Sequence, residues 1–244
     1  MTAPQPTTLD RQTIGLFLDV DGTIIDLAPT PDAVEVPDAL RCELSMVEQR
    51  LDGALALVSG RPIRELDRLF DPLRLRASGV HGGEIRYAPD QPERSLAAQR
   101  LPDEAWSKLL RLLTEFPGAF AENKGVSFAV HYKLGVADEI CAALRHLMQE
   151  YPELPLELIG GRAVYEIKLS GFDKGKAIEC FMAQAPFVGR RPIFVADDRV
   201  DGPGFEKAIA LGGLAFSVGA KLPGVTGWFA SPRDLRGWLE RLGE

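Results

Sequence analysis

The chain has 244 residues, of which 45% are apolar and 26% are charged, and its formal net charge at pH 7 is −7. This length and composition predict a globular protein of one large domain or two modest ones. Because nucleic acids and anionic membranes attract basic surfaces, the acidic balance argues against both as general partners, although not against a small anionic substrate. Nothing in the sequence identifies a protein partner. The cysteines form no C-x-x-C pair, and no apolar run is long enough for a signal peptide or a membrane span, so we expect a cytoplasmic location.

The first part of the chain alternates short apolar runs with amphipathic helical patterns. Residues 1–13 are polar and are predicted to form a flexible tail. The predicted strands and helices after the tail are a strand at 14–20, a helix at 38–49, a strand at 54–58, a helix that begins at Pro62 and a strand at 75–79. This order is typical of a doubly wound parallel sheet.

The middle of the chain has a different pattern. Two helices and two hairpins are predicted, with helices at 102–116 and 136–150 and paired strands at 120–122 with 126–132 and at 156–159 with 163–169. Antiparallel hairpins do not belong in a parallel core, so we predict that residues 95–170 form an inserted α+β domain.

The α/β pattern then resumes and continues to the C-terminus. The predicted elements are a helix at 174–183, a strand at 192–196, a helix at 204–210, strands at 214–218 and 227–230, and a final helix capped by Ser231 and Pro232. The sequence therefore predicts an α/β fold with a Rossmann-like core formed by residues 14–94 and 171–244.

The strongest chemical signal is the segment Asp19-Val20-Asp21-Gly22-Thr23, directly after the first strand. Two carboxylates at positions i and i+2 of an extended segment point the same way, and they repel each other unless a cation or a proton intervenes. In an open α/β sheet, ligands bind beyond the carboxyl ends of the strands. Gly22 lets the backbone approach an anion closely. The alternative for this segment alone is a capped turn.

A second acidic cluster follows the strand at 192–196 and contains Asp197, Asp198 and Asp201. Carboxylate oxygens are typical ligands of hard cations such as Mg²⁺. Taken alone, this cluster could equally be a solvated loop. Two acidic clusters that each follow a buried parallel strand make the cation site the better interpretation, because such strand ends converge at one edge of the sheet.

Two further signals indicate a phosphate site. Ser59-Gly60-Arg61 lies at the end of the second strand and before a helix, where a hydroxyl and backbone amides can bind an anion. Lys174 begins a later helix, where a cation could lower the pKa of an aspartyl nucleophile and balance phosphoryl oxygens. The alternatives are an N-cap serine without a ligand and a solvated lysine.

In this order, the four motifs resemble those of the haloacid dehalogenase (HAD) superfamily. Within it, the chain resembles the trehalose-6-phosphate phosphatase family over nearly its whole length from residue 14. The matching segments are LFLDVDGTI, LVSGRPIREL, SGVHGGEIR, ENKGVSFAVHYK, RAVYEIKLSGFDKGKAI and ADDRVDGPGF. Ala196 and Val200 stand where relatives commonly have glycine and threonine, and KLSG stands where they often have RPxG. All three acids of the last motif are present.

The resemblance implies a Mg²⁺-dependent phosphatase that works through an aspartyl phosphate. Asp19 would be the nucleophile, Asp21 the general acid and base, and Ser59 and Lys174 the groups that hold the phosphoryl oxygens. Asp19, Asp197 and the backbone carbonyl of Asp21 would bind the metal, with Asp198 or Asp201 in support.

The resemblance further implies that the inserted domain is a cap that selects a sugar phosphate. The candidate substrate-binding residues are Gly22, Thr23, Gly60, Arg61, His81, Glu84, Lys124 and Glu166. Weaker candidates are Arg86, Ser127, His131 and Tyr132. Open alternatives are another sugar phosphate (sucrose 6-phosphate, mannosyl-3-phosphoglycerate or a hexose phosphate), a phosphomutase, and a sugar-phosphate-binding regulator without activity.

Overall fold

The computed structural model describes residues 12–28, 33–97, 99–161 and 163–243. Residues 1–11 of the predicted tail lie outside this range, as does Arg162 in one of the matching segments. The chain divides into two compact units. The core unit contains the residues up to Ser95 and from Asp173 onward, and the cap unit is Leu96–Phe172.

The elements alternate as the sequence predicts, with two additional strands. The first core segment contains β1 (Ile14–Leu18), α1 (Asp38–Arg50), β2 (Leu55–Val58), α2 (Ile63–Phe70), β3 (Arg76–Gly79), β4 (Glu84–Arg86) and β5 (Arg94–Ser95). The cap unit contains α3 (Asp103–Leu113), β6 (Phe120–Asn123), β7 (Ser127–His131), α4 (Ala137–Gln149), β8 (Leu156–Gly161) and β9 (Val164–Leu169). The second core segment contains α5 (Lys174–Met182), β10 (Arg191–Ala196), α6 (Gly202–Ala210), β11 (Leu214–Val218), β12 (Gly227–Phe229) and α7 (Pro232–Gly243).

The core unit is built on an eight-stranded sheet with the order β12-β11-β10-β1-β2-β3-β4-β5. The strands from β12 to β3 are parallel, which confirms the α/β prediction. The sequence did not predict β4 and β5, which pair antiparallel at one edge. They have three and two residues, too few for an alternating pattern to be recognised.

The centre of this sheet is apolar on both faces. Every residue of β1 is buried because β1 lies between β10 and β2. The ring of Phe17 lies 4.9 Å from that of Phe187 and 5.9 Å from that of Phe181. Gly15 leaves the space that this cluster needs, since a Cβ atom there would lie 2.7 Å from the Phe187 ring. The sheet is therefore a rigid platform for the residues that follow its strands.

The cap unit is an antiparallel sheet with the order β6-β7-β9-β8 and two helices. Phe128 pairs with Ile167 across β7 and β9, and its ring contacts Trp106 of α3 at 5.1 Å. Because successive side chains of a strand alternate between faces, Ser127, Glu166 and Lys168 lie on the opposite face of the sheet. The cap unit therefore buries an apolar face against its helices and carries polar side chains on the other.

Among the described residues, no helix combines the length and the apolar character that crossing a membrane requires. The three cysteines, Cys42, Cys141 and Cys180, are not in disulfides.

Candidate active site

The predicted site residues of the core unit follow three neighbouring strands. Asp19 comes directly after β1, Ser59 directly after β2, and Asp197 directly after β10. These strands are adjacent and parallel, in the order β10-β1-β2, so their carboxyl ends meet at one edge of the sheet. A further hydrogen bond joins two of the segments there, because the Asp19 N–H donates to the Val195 carbonyl at 2.9 Å.

Lys174 is the cationic group of this edge. Its side chain and that of Asp19 are both buried, at 4% and 7% exposure. The ammonium nitrogen lies 2.6 Å from Asp19 Oδ1 and 2.5 Å from Asp201 Oδ1. Asp173 fixes the start of α5, because its carboxylate accepts a hydrogen bond from the Lys176 N–H at 2.7 Å. Although burial lowers the pKa of Lys174, the carboxylates of Asp19 and Asp201 outweigh it, so the pKa is raised.

Asp19, Asp197 and Asp201 form a carboxylate cluster. One oxygen from each lies within 4.8 Å of the others. Burial raises the pKa of Asp197 to about 8, and the charges of Asp19 and Asp201 add to this shift. Burial also raises the pKa of Asp19 to about 6, although Lys174 opposes the change. The hydroxyl of Thr23 lies 3.1 Å from Asp19 Oδ2 and 3.3 Å from Asp197 Oδ1.

The cluster fits a divalent cation in both charge and ligand chemistry. Its three carboxylates and the Lys174 ammonium together carry excess negative charge when all four groups are ionised. Its donors are oxygen atoms, which hard cations such as Mg²⁺ prefer. A bound cation would relieve the repulsion that raises the carboxyl pKa values.

Gly22 allows the loop after β1 to approach Asp197. Its φ is +72°, and a Cβ atom at this position would lie 2.1 Å from Asp197 Oδ2. No other residue can occupy this position without moving Asp197 or the loop.

The structure brings Asp201, and not Asp198, into the carboxylate cluster. The Asp198 carboxylate instead accepts a hydrogen bond from the Arg199 N–H and caps the turn that precedes α6. In return, the Asp198 N–H donates to Asp201 Oδ2 at 3.3 Å. This reciprocal capping holds Asp201 in place.

The Ser59-Gly60-Arg61 segment packs against His81. The Arg61 N–H donates to Ser59 Oγ at 3.1 Å, and the His81 N–H donates to the Ser59 carbonyl at 3.0 Å. A Cβ atom at Gly60 would lie 2.5 Å from His81 Nε2, so a larger residue there would have to displace the imidazole. Both His81 and the preceding Val80 have a φ of +51°, which is rare for a β-branched residue such as valine.

No pattern in the sequence indicates the contact between Asp21 and Arg61. The guanidinium Nε lies 2.7 Å from Asp21 Oδ2, and its Nη2 lies 2.7 Å from Oδ1. This is a two-pronged arrangement of parallel hydrogen bonds. The residues are 40 positions apart in the chain, and no local pattern connects them.

Glu84 and Arg86 lie on β4 and have structural partners. The Ile63 N–H donates to Glu84 Oε2 at 3.0 Å, so this carboxylate lies at the start of α2, and burial raises its pKa. The Arg86 side chain is 1% exposed and is bound by both oxygens of Asp67, at 2.6 and 2.7 Å, and by the Leu75 carbonyl. Arg86 therefore stabilises the interior of the core unit.

Two predicted substrate-binding residues, Lys124 and Glu166, form a cluster with Ser127 within the cap unit. Lys124 Nζ lies 3.0 Å from Glu166 Oε2, and the Ser127 hydroxyl donates to Glu166 Oε1 at 2.5 Å. Glu166 is 4% exposed, so its charge is buried in the cap sheet with these partners. On the neighbouring strand, His131 contacts the Glu122 carboxylate at 3.1 Å and stacks on Phe120.

Comparisons with known proteins identify the family to which the chain is similar. The family model described as trehalose-phosphatase matches residues 17–219. Trehalose-6-phosphate phosphatase of Escherichia coli K12 is 36% identical over 237 residues, which cover 93% of this chain and 85% of the relative.

Solved structures agree at the level of the fold. The C-terminal domain of Candida albicans trehalose-6-phosphate phosphatase superposes with a TM-score of 0.79 at 19% identity, covering 95% of this chain and 92% of that domain. BT1666 of Bacteroides thetaiotaomicron, described as a phosphatase of the haloalkanoate (HAD) superfamily, superposes with a TM-score of 0.61 at 14% identity, covering 96% of each chain.

Proposed function

Because the chain belongs to the trehalose-phosphatase family, we propose that it hydrolyses trehalose 6-phosphate to trehalose and phosphate. The observation that carries this proposal is the buried group of Asp19, Lys174, Asp197 and Asp201 at the carboxyl edge of the sheet. It combines a carboxylate nucleophile, a fixed ammonium and a set of oxygen ligands, which are the groups that phosphoryl transfer through an aspartate needs.

Asp19 is the nucleophile in this proposal. One carboxylate oxygen attacks phosphorus as the bond to the sugar oxygen breaks, which gives an aspartyl phosphate. Lys174 holds Asp19 Oδ1 at 2.6 Å, so it fixes the orientation of the carboxylate and favours its ionised form.

Asp21 acts as general acid and then as general base. It gives a proton to the departing sugar oxygen in the first step. In the second step its carboxylate takes a proton from water, and the water oxygen attacks the phosphorus of the aspartyl phosphate. Phosphate leaves, and both Asp19 and the protonated Asp21 are restored.

The metal that we propose is Mg²⁺. Asp19, Asp197 and Asp201 would hold it, together with the backbone carbonyl of Asp21. When bound, it supplies positive charge that offsets the negative charge of the phosphoryl oxygens and of the nucleophile.

The remaining residues of the core site hold the phosphoryl group. The Ser59 hydroxyl, the Lys174 ammonium and the backbone amides of Gly22 and Gly60 are the donors in this proposal. The Thr23 N–H already donates to the Val20 carbonyl at 3.2 Å, so Thr23 contributes through its hydroxyl contacts with Asp19 and Asp197.

Sugar selection is assigned to the cap unit in this proposal. Lys124 can donate to a sugar hydroxyl, and Glu166 can accept from one. Each already holds the other at 3.0 Å, which fixes their orientation before the sugar binds. His81 and Glu84 are candidate contacts from the core unit. A cytoplasmic location, where a sugar phosphate would be available, is part of the same proposal.

The test is phosphate release with Mg²⁺ from trehalose 6-phosphate, sucrose 6-phosphate, mannosyl-3-phosphoglycerate, glucose 6-phosphate and p-nitrophenyl phosphate. We expect the highest kcat/KM for trehalose 6-phosphate, and loss of turnover in EDTA that Mg²⁺ reverses. A higher kcat/KM for another sugar phosphate would support the proposed chemistry but contradict trehalose 6-phosphate as the substrate. Conversion of glucose 6-phosphate to an isomer without phosphate release would indicate a phosphomutase, and binding of trehalose 6-phosphate without turnover would indicate a regulator.

A further inference from the structure

Arg61 holds both carboxylate oxygens of Asp21. The two hydrogen bonds are each 2.7 Å long and come from Nε and Nη2 of one planar guanidinium. The side chains of Arg61 and Asp21 are 14% and 30% exposed, so the pair is partly shielded from solvent. Such a fork fixes the plane of the carboxylate as well as its position, which a single hydrogen bond or a lysine cannot do.

The backbone of Arg61 is itself fixed at three points. Its N–H donates to Ser59 Oγ at 3.1 Å, and its carbonyl accepts from the Val80 N–H at 3.0 Å. The next residue is Pro62, whose ring restricts its own φ, and α2 begins directly after it. Gly79 also packs closely against the Arg61 carbonyl, since a Cβ atom at Gly79 would lie only 2.7 Å from its oxygen. This packing further restricts the segment. The guanidinium therefore extends from a rigid segment toward Asp21.

Rigid positioning matters at Asp21 because of the reaction assigned to it. A general acid must direct its proton at the leaving oxygen within hydrogen-bond distance, and misplacement of about 1 Å is enough to slow a reaction on the order of 100-fold. Each carboxylate oxygen has two lone-pair directions, and the fork occupies one of them on each oxygen. The transferred proton can therefore lie along a remaining direction and point at the sugar oxygen.

We propose that Arg61 is a positioning residue that orients Asp21 for proton transfer to the leaving group. This inference rests on the proposed phosphatase function and differs from a role for Arg61 in binding substrate. In the first step, the Asp21 O–H bond breaks and its proton joins the sugar oxygen, as the phosphorus–oxygen ester bond breaks and the bond from Asp19 to phosphorus forms. Arg61 keeps its own protons and acts only through the Asp21 carboxyl group.

Substrates with different leaving groups separate positioning from substrate binding. A sugar alkoxide needs a proton as it leaves, whereas p-nitrophenolate leaves readily without one. We expect Arg61→Met to lower kcat/KM for trehalose 6-phosphate on the order of 100-fold, and kcat/KM for p-nitrophenyl phosphate by less than about 10-fold. Arg68→Met is the matched control, because Arg68 is an exposed arginine on the adjacent helix α2, and it should change neither value.

A double-mutant cycle with Asp21→Asn completes the test. If Arg61 acts through Asp21, Arg61→Met has no further effect on trehalose 6-phosphate in the Asp21→Asn background. Equal losses for both substrates, or full additivity with Asp21→Asn, would overturn the inference. Arg61→Lys replaces Arg61→Met if the latter does not fold by circular dichroism, with the same pattern expected because lysine cannot form the fork. A wild-type protein that releases phosphate from no substrate would contradict the proposed function itself.

Discussion

The Lys174 ammonium contacts Asp19 and Asp201, and Asp197 completes the carboxylate cluster. Desolvation and mutual repulsion raise the pKa of Asp19 to about 6 and that of Asp197 to about 8. We therefore expect the carboxylates that could bind a cation also to make the stability of the metal-free protein depend on pH.

We predict that the effect of Mg²⁺ on thermal stability depends on pH. Both carboxyl groups have folded-state pKa values above the ordinary value of 3.8, so the folded state binds more protons than the unfolded state below about pH 8. The free energy of unfolding of the metal-free protein should therefore fall as pH rises from about 4 to about 8 and then level off. Mg²⁺ must displace those protons, so its stabilising effect should grow over the upper part of this range.

The measurement is the unfolding temperature with and without Mg²⁺ between pH 6 and pH 8, the range of the two pKa values. Asp197→Asn is the control variant, since it should weaken the dependence on pH and reduce the response to Mg²⁺. An equal Mg²⁺-induced increase in unfolding temperature at both ends of the range would contradict the prediction.

The structure brings Asp19, Asp197 and Asp201 together. Sequence alone predicted that acids which follow the strands of the parallel sheet lie near one another. It could not assign Asp198 and Asp201 to different tasks, since both are acids in one short loop and only the turn geometry separates them. Nor could it predict that Arg61 binds Asp21, because that contact depends on how β2 and β1 lie side by side.

The geometry of the site depends on where the strands end and on the conformation of the turn that follows each strand. The sequence predicted the parallel strands and the major helices because their apolar patterns extend over several residues. It missed β4 and β5, which are too short to show such a pattern. The capped start of α7 was predicted, and the Asp234 N–H donates to Ser231 Oγ at 3.2 Å.

We predict that Gly22→Ala disrupts the metal site and that Gly219→Ala does not. Both glycines have a positive φ, +72° and +81°, so each alanine should cost about 1 kcal/mol of backbone strain. At Gly22 the added Cβ would also lie 2.1 Å from Asp197 Oδ2, whereas at Gly219 no atom lies within 4 Å. Only Gly22→Ala should therefore abolish the Mg²⁺-induced increase in unfolding temperature and most of the turnover.

Thermal unfolding with Mg²⁺ and phosphate release from trehalose 6-phosphate are the two measurements. A normal response to Mg²⁺ in Gly22→Ala would mean that the close approach of this loop to Asp197 is not needed. Equal losses in the two variants would attribute the effect to backbone strain alone.

The chain combines a core unit with a cap unit that is inserted in the sequence between β5 and α5. The sequence predicted this insertion from the change to antiparallel hairpins. It did not predict that the two hairpins join into one sheet through β7 and β9, because strand pairing between distant segments has no local signature. The family resemblance supplied the candidate sugar-binding residues, which physical patterns alone would not have selected.

We predict that Glu166→Gln weakens recognition of trehalose 6-phosphate without affecting small phosphates. The substitution keeps the shape of the side chain but removes the charge that Lys124 and Ser127 contact. Since a hydrogen bond to a charged group contributes about 1.5–3 kcal/mol, KM for trehalose 6-phosphate should rise at least about tenfold. The value of kcat/KM for p-nitrophenyl phosphate should stay the same.

The matched control is Glu139→Gln, the same change at an exposed position of α4, which should alter neither substrate. Unfolding temperatures of both variants check that the cap unit still folds. A parallel loss with both substrates would show that Glu166 acts on the core chemistry or on folding and not on sugar selection.

The proposed mechanism depends most directly on Asp19 as the nucleophile. The decisive measurement is a rapid-quench reaction of the Mg²⁺-bound protein with trehalose 6-phosphate, followed by borohydride, which reduces an aspartyl phosphate to homoserine. Peptide mass spectrometry should find homoserine at position 19 in the wild-type protein. Asp19→Asn, which keeps the size of the side chain but lacks a nucleophilic carboxylate, should retain its fold, show no labelling and lose nearly all turnover. Homoserine at another aspartate, or near-normal phosphate release by Asp19→Asn, would contradict the mechanism.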